Sequence, residues 1–334
     1  MNQETPVIYL APFQGITTYT YRECYSKHFP FVDKLYTPFY SSVPTEKGNA
    51  SKARELEVLQ HNHIPVIPQI LSKNASEMLH FANHCHQLGH REINWNLGCP
   101  YSRVANKKRG SGMLPHPEMV EEILSGLMSN IPTKLSVKCR LGYHAPTEIE
   151  SLIPLFNQYN ISELTVHARL GIQLYKGAVD WDSLAGVVDL IQIPLVYNGD
   201  IFSSEDYQTF SRQFPQISRV MIGRGLLTDP FLPAKIKGLS VPGLEDQKIL
   251  VKKFMEDLYL SYRKHLNDRL NVIGIMKELW ANLTFGFENP GKVFGGIKKC
   301  HTFDEYETSV AHVFNEYQWV GSDAQLLKTF GNNL

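Results

Sequence analysis

The strongest constraint on the fold is an alternation. Short apolar runs at 7–11, 32–36, 66–70, 92–96, 135–139, 163–167, 195–198 and 220–222 recur through the first 240 residues, separated by longer amphipathic stretches. Several of the runs are rich in Val and Ile, as strands buried on both faces should be. The stretches between them carry helical signals. Over 117–128, Met119, Val120, Ile123, Leu124, Leu127 and Met128 follow the 3.6-residue period, and Pro117 suits a first helical turn. Over 74–88, Met78, Ala82, Cys85 and Leu88 share a face; Asn74 with Glu77 makes a capping-box pattern, and Gly89 can close the helix in a left-handed conformation. Ser203 or Ser204, followed by Glu205 and Asp206, starts another.

Eight such β/α units imply a (β/α)8 TIM barrel, which needs ~250 residues. An open doubly wound sheet shares the periodicity. The polar residues favour closure: Gln69, Asn96, Lys138, His167, Asn198 and Arg224 stand at or just past the C-terminal ends of six different strands. A barrel brings those ends to one mouth, whereas an open sheet strings them along an edge. A linker at 238–243 then ends the alternation, and 248–266, 272–283 and 303–317 read as helices. The expected organisation is a barrel at 1–240 followed by a small helical domain at 241–334.

Basic and acidic side chains cancel at 33 each, so any polyanion must be held by local patches. Five cysteines, an odd number with no CxxC pair, argue against a disulfide framework and a structural zinc site, and no metal is expected. No apolar run approaches the ~18 residues that span a bilayer, and no basic segment leads into an apolar one at the N-terminus. The expectation is a cytoplasmic protein with no membrane partner.

Cys99 is the cysteine that stands apart. Asn96-Leu97-Gly98-Cys99-Pro100 directly follows a strand, and its Gly and Pro force a turn that presents the thiol at the mouth. Cys24 and Cys85 sit in helical patterns and read as core thiols. Lys138 and Arg140 end a buried strand on one face, where a positive charge needs a partner such as a reduced cofactor ring. His167 and Arg169 end the next strand and suit phosphate or ring-oxygen recognition. Asn198-Gly199-Asp200 and Gly223-Arg224 follow the seventh and eighth strands, the usual phosphate loops of such barrels, and fit FMN or a phosphorylated sugar. Arg103, Lys107, Lys108 and Arg109 form a basic run just after Cys99, suited to a polyanion; Lys292, Lys298 and Lys299 make a weaker second patch.

These residues resemble those of the tRNA-dihydrouridine synthases. The resemblance runs from Ala11 to about Tyr317 and rests on Ala11-Pro12-Phe13-Gln14-Gly15, Gln69, Asn96-Leu97-Gly98-Cys99-Pro100, Lys138 with Arg140, His167-Ala168-Arg169, Tyr175-Lys176-Gly177 leading to Asp180-Trp181, and the two glycine loops. It implies a barrel that binds FMN through Pro12, Phe13, Gln14, Gln69, Lys138, His167, Asn198, Gly199, Asp200, Gly223 and Arg224. It further implies NADPH or NADH as reductant, a hydride passed from flavin N5 to uracil C6, and Cys99 as the acid that protonates C5. Asn96, Arg140, Arg169 and Tyr175 would lie near the target, a D-loop uridine of tRNA turned out of its stack, and the helical domain would help a monomeric enzyme grip the RNA. Phe13, Asn94 and Leu170 depart from the residues common in that family, as does the stretch Arg109-Gly110-Ser111-Gly112. Two other activities fit part of the pattern: an FMN barrel reducing a free pyrimidine or enone, and a flavin-free RNA-binding module.

Overall fold

The structure, a computed structural model, describes residues 5–41, 53–58 and 64–322; the extreme ends of the two expected domains, 1–4 and 323–334, lie outside the described residues. Among the described residues nine parallel strands form one sheet: β1 (Val7–Leu10), β2 (Lys34–Tyr36), β3 (Val66–Ile67), β4 (Gln69–Ile70), β5 (Glu92–Leu97), β6 (Lys134–Gly142), β7 (Leu164–Leu170), β8 (Leu195–Asn198) and β9 (Arg219–Ile222). Their order is β3-β2-β1-β9-β8-β7-β6-β5-β4. The two outer strands, β3 and β4, are consecutive pieces of the apolar run 66–70, parted at Pro68. β3 pairs with β2, setting Leu35 against Val66, and β4 pairs with β5, setting Gln69 against Asn94. The ring is therefore closed by a single run that hands its pairing from one neighbour to the other. Proline has no N–H to give to a ladder, but the Pro68 carbonyl still accepts from Asn94 N at 2.8 Å.

Every apolar run forms a strand, and the architecture is the expected TIM barrel with helices at its C-terminal end. β6 and β7 run several residues beyond the apolar stretches that announced them, so Arg140 and Arg169 lie on the strands themselves. At the N-terminal mouth a polar plug seals the barrel. The Glu163 carboxylate accepts from the Tyr9 hydroxyl at 2.7 Å, from Arg219 at 3.0 Å and from Lys34 at 3.3 Å. Chemistry is left to the opposite mouth.

Local signals explain the barrel helices. Ala75–Gln87 is capped by the Asn74 side chain, which accepts from Glu77 N at 2.9 Å, and Gly89 takes φ +95° beyond its end. The box is half closed, because the Glu77 carboxylate turns to the Ser72 hydroxyl instead. Ser203 and Asp206 cap Ser204–Gln213 reciprocally. Pro117–Leu127 buries Val120, Ile123, Leu124 and Leu127, the stripe its period announced.

Beyond residue 243 come Leu244–His265, Asn271–Leu283, Pro290–Lys298 and Phe303–Glu316. The third was not expected, because Gly295 and Gly296 weaken its helical signal; Pro290 at its first turn and buried Val293 and Ile297, four apart, hold it. The long helix Leu244–His265 packs on the first barrel helix, Tyr19–His28. The Phe254 ring lies 5.2 Å from Phe29, 5.9 Å from Tyr21 and 6.4 Å from Tyr25, and Tyr262 shares a hydrogen bond with Thr18 at 2.6 Å. The hydrophobic core is thus continuous between barrel and C-terminal helices. No helix among the described residues is long and apolar enough to cross a membrane.

Removing the ring that joins these two parts tests that continuity. Phe254→Ala should destabilise the protein by about 3–5 kcal/mol, the usual cost of a buried Phe truncation, in a single cooperative transition followed by denaturant titration. A loss below about 1 kcal/mol, or separate transitions for barrel and helices, would contradict it.

Candidate active site

The mouth is assembled by strand alternation. Residues two apart on a strand share a face, and the register sets Gln69 beside Asn94, Asn94 beside Ser136, and Asn96 beside Lys138. Within the barrel these polar side chains form one directed chain. The Asn96 amide nitrogen donates to Gln69 Oε1 at 2.8 Å, Gln69 Nε2 donates to Asn94 Oδ1 at 2.8 Å, Asn94 Nδ2 donates to Ser136 Oγ at 3.0 Å, and Ser136 Oγ donates to the Ile93 carbonyl at 3.3 Å. All four side chains are buried. Each amide accepts from one side and donates to the other, so the chain fixes which way Asn96 faces. Asn96 Oδ1 is thereby left to accept from the N–H groups of Gly98 and Cys99, at 3.0 and 2.8 Å.

That contact holds the Cys99 turn from below. From the side, the Cys99 carbonyl accepts from Ser111 N at 3.1 Å and Ser111 Oγ at 3.0 Å. Gly110, at φ +56°, passes so close that a Cβ there would sit 2.7 Å from the Cys99 carbonyl oxygen. The glycines after Arg109 therefore serve the cysteine turn. Cys99 is only 7% exposed, as little as Cys24, so exposure does not single it out. Its neighbours do. Burial pushes the thiol pKa up, while the Tyr101 N–H and the charges of Arg140, Arg103 and Lys138 pull it down. The upward push prevails, and Cys99 is a protonated thiol at neutral pH. Cys139, on the strand interior, is pushed up to about 12.

Positive charge dominates the rest of the mouth. Lys138 Nζ donates to Asn198 Oδ1 at 2.8 Å and has no carboxylate partner among the described residues. Burial, with Arg140 nearby, lowers its pKa to about 8. Arg140 donates to the carbonyls of Gly98 and Leu170 at 3.0 and 2.7 Å and lies over the Tyr175 ring at 5.3 Å. Arg169 forms a two-pronged pair with Asp200, donates to the Gly177 carbonyl at 2.7 Å, and donates to His167 Nε2 at 3.1 Å. Because an arginine can only donate, His167 Nε2 must be unprotonated and the ring neutral with its proton on Nδ1. Burial holds the His167 pKa well below the usual histidine range, and Arg140, Lys138, Arg169 and Arg224 add to that. Arg224 also bonds Asp200, at 3.0 Å. Four cationic side chains thus crowd one neutral imidazole, and Asp200 answers two of them.

The loops after β8 and β9 are shaped for close approach. Gly199 takes φ +150°, and a Cβ on Gly223 would lie 2.9 Å from the Phe13 ring. Phe13 itself is pinned by its N–H to Thr17 Oγ1 at 2.9 Å. A dianionic phosphate with a ring that becomes anionic on reduction is the chemistry this excess positive charge fits.

The structure gathers Cys99, Asn96, Gln69, Lys138, Arg140, His167, Arg169, Tyr175, Asn198, Asp200 and Arg224 at this mouth. It does not treat the basic run as one patch. Arg103, Lys107 and Lys108 are exposed, whereas Arg109 donates to the carbonyls of Ser41 and Leu71, at 3.0 and 2.5 Å, and braces the loop. Sequence reasoning missed Ser136, and met Asn94 only as a departure from pattern. The available signal was a polar residue at every second position, Asn94, Asn96, Ser136 and Lys138, in otherwise apolar strands.

The sequence profile of a family described as dihydrouridine synthase matches residues 9–288. A protein of Neisseria meningitidis named tRNA-dihydrouridine(16) synthase is 28% identical over 326 residues, 95% of this chain and 96% of the relative. One of Haemophilus influenzae with the same name is 26% identical over 315 residues, 89% of this chain and 97% of the relative. A tRNA-dihydrouridine synthase B of Pasteurella multocida is 25% identical over 81% of this chain and 79% of its own length. Among solved structures, morphinone reductase superposes with a TM-score of 0.52 at 8% identity, covering 73% of this chain and 93% of that one, a likeness of fold.

The directed amide chain makes a prediction about the thiol. Ser136→Ala or Asn94→Leu orphans buried amide groups at a cost of roughly 1–3 kcal/mol each, which loosening of the Cys99 turn can relieve. Iodoacetamide labelling of Cys99, followed by peptide mass spectrometry, should accelerate by about fivefold or more, while Cys139 stays unlabelled. An unchanged Cys99 rate in both variants would show that the chain does not hold the turn.

Proposed function

The chain belongs to the dihydrouridine synthase family, and from that premise we propose that it reduces a uridine of tRNA to 5,6-dihydrouridine, with FMN as cofactor, NADPH or NADH as reductant and Cys99 as the acid. The observation that carries the proposal is a protonated thiol held rigidly at the edge of a cation-rich barrel mouth. Reducing a C5–C6 double bond takes a hydride at one carbon and a proton at the other. Bound and reduced, FMN supplies the hydride from N5 to C6.

The chain's own residues supply the rest. Pro12, Phe13, Gln14, Gly223, Gln69, Lys138, His167, Asn198, Gly199, Asp200 and Arg224 would hold the cofactor, with Phe13 and Gly223 in close approach. Lys138, bonded to Asn198 and without a carboxylate partner among the described residues, would supply positive charge to a ring that is anionic when reduced. His167, neutral with its proton on Nδ1, offers that N–H as a donor. Cys99 delivers its proton to C5. The Cys99 thiolate left behind is stabilised by the charges of Arg140, Arg103 and Lys138, then regains a proton from solvent. A thiol whose pKa is raised suits an acid and not a nucleophile, which needs the thiolate.

Around the uridine, Arg140 and Tyr175 are the contacts we assign. Asn96 and Arg169 have their polar groups committed to the Cys99 turn and to Asp200, so they frame the pocket. Arg103, Lys107 and Lys108 face RNA phosphates, with Arg109 as their brace. The helices of 241–334 extend the grip on the folded RNA beyond the barrel of 1–240, in a cytoplasmic monomer acting on the D-loop. Two relatives carry position 16 in their names, which makes that the first position to examine.

Half-reactions separate the two roles. Cys99→Ala should leave flavin reduction by NADPH intact and slow reoxidation of the reduced flavin by tRNA about 10²–10⁴-fold, the usual worth of a positioned general acid. Reoxidation at the wild-type rate would remove Cys99 from the role. For Lys138, the lowered pKa sets the sign: below about 8 the amine is charged, and above it the amine is neutral. Affinity of the cofactor-free protein for reduced FMN, measured without oxygen, should therefore fall as pH rises through about 8, and that inflection should be missing in Lys138→Met. Flat affinity from pH 7 to 9.5 in the wild type would contradict the assignment.

A further inference from the structure

Two exposed tyrosines stand at the lip of the mouth. Tyr101, two residues after Cys99, is 49% exposed, and Tyr175 is 38% exposed. Each is backed by a guanidinium: Arg103 lies over the Tyr101 ring at 5.9 Å and Arg140 over the Tyr175 ring at 5.3 Å. The two phenols are within electrostatic reach of one another, and Tyr175 is within reach of Cys99. Ile172 and Leu174, on the Tyr175 segment, are exposed as well. Segments 101–109 and 172–177 together carry Arg103, Lys107, Lys108, Arg109 and Lys176 and no acidic residue.

Exposed aromatic faces interleaved with exposed basic side chains, here Arg103, Lys107 and Lys108, are what a single-stranded nucleic acid uses: bases stack on the rings while phosphates meet the charges. The absence of carboxylates from these two segments disfavours a basic partner, and the basic rim suits a polyanion. Geometry at the pocket adds a reason. A uridine turned out of its stack to meet Cys99 leaves the next base short of one stacking partner. Tyr175 is taken up with the target. Tyr101, two residues beyond Cys99, is not.

We propose that the Tyr101 ring, braced by Arg103, is the stacking platform for the nucleotide that flanks the target uridine. The platform rests on tRNA being the substrate. It replaces the stack broken on extrusion, and because any base has a π face it tolerates different flanking bases while contributing affinity.

The test measures tRNA binding by the FMN-loaded protein across a salt series, for wild type, Tyr101→Ala, Tyr101→Phe and the pair Lys107→Gln with Lys108→Gln. Flavin reduction by NADPH serves as the check on folding. Tyr101→Ala should weaken binding by about 5- to 100-fold, what one base–aromatic stack supplies, with the slope of log affinity against log salt unchanged. Tyr101→Phe should bind like wild type. The lysine pair should instead lower the slope, by roughly 0.7–0.9 for each phosphate no longer neutralised. Wild-type affinity in Tyr101→Ala, a Phe variant as weak as Ala, or a lowered slope in either would overturn the platform while leaving the proposed function standing. A wild-type protein that binds no tRNA would overturn both.

Discussion

Closure of the barrel at the third strand is the constraint on which the rest depends. Val66–Ile67 pairs with one neighbour and Gln69–Ile70 with the other, and Pro68 between them gives up a donor without opening the ring. Were the sheet open at this point, the strand ends bearing Gln69, Asn96, Lys138, His167 and Asn198 would fan apart. Closed, they converge, and the Gln69 side chain that follows Pro68 becomes the link between Asn94 and Asn96. The same residue that completes the ring therefore helps to hold the cysteine turn.

Two kinds of interaction share the barrel interior. At the N-terminal end, charges are matched: the carboxylates of Glu163 and Glu92 face Lys34 and Arg219. At the C-terminal end they are unmatched, with Lys138 bonded to an amide and Asp200 divided between two arginines. Burying unpaired positive charge is costly, and a lysine with its pKa near 8 is the sign of that cost. Sites that await an anionic ligand carry such strain, because the ligand relieves it. Between the two ends lies the neutral amide chain. It passes orientation from Ser136 to Cys99 without adding charge, and burial keeps the thiol protonated. A carboxylate at position 94 could accept from Gln69 but could not donate to Ser136, so the asparagine here is part of the chain's direction.

Much of this was legible in the sequence because its causes are local. Strands buried on both faces leave apolar runs, and all eight were readable; the Gly98-Cys99-Pro100 turn and the glycine loops after β8 and β9 are written in consecutive residues. What could not be read depends on register. Asn94 and Ser136 look like stray polar residues in apolar strands until strand pairing sets them side by side. Arg109 looks like its neighbours Lys107 and Lys108 until the fold brings the carbonyls of Ser41 and Leu71 to it. The depth of Cys99 was unexpected for the same reason: a turn at a barrel mouth reads as open, but Gly110 and Ser111 fold back over it. The helix Pro290–Lys298 escaped notice because tertiary packing of Val293 and Ile297 outweighs two glycines.

The central claim is that this mouth reduces uridine in RNA. The direct measurement incubates the purified, FMN-loaded protein with NADPH and an unmodified tRNA transcript, then digests the RNA and maps its fragments by mass spectrometry. The account predicts a gain of two hydrogen atoms at a defined uridine, dependent on both NADPH and Cys99, and none on free uridine under the same conditions. Oxidation of NADPH with every uridine unchanged, or equal reduction of the free nucleoside, would contradict it.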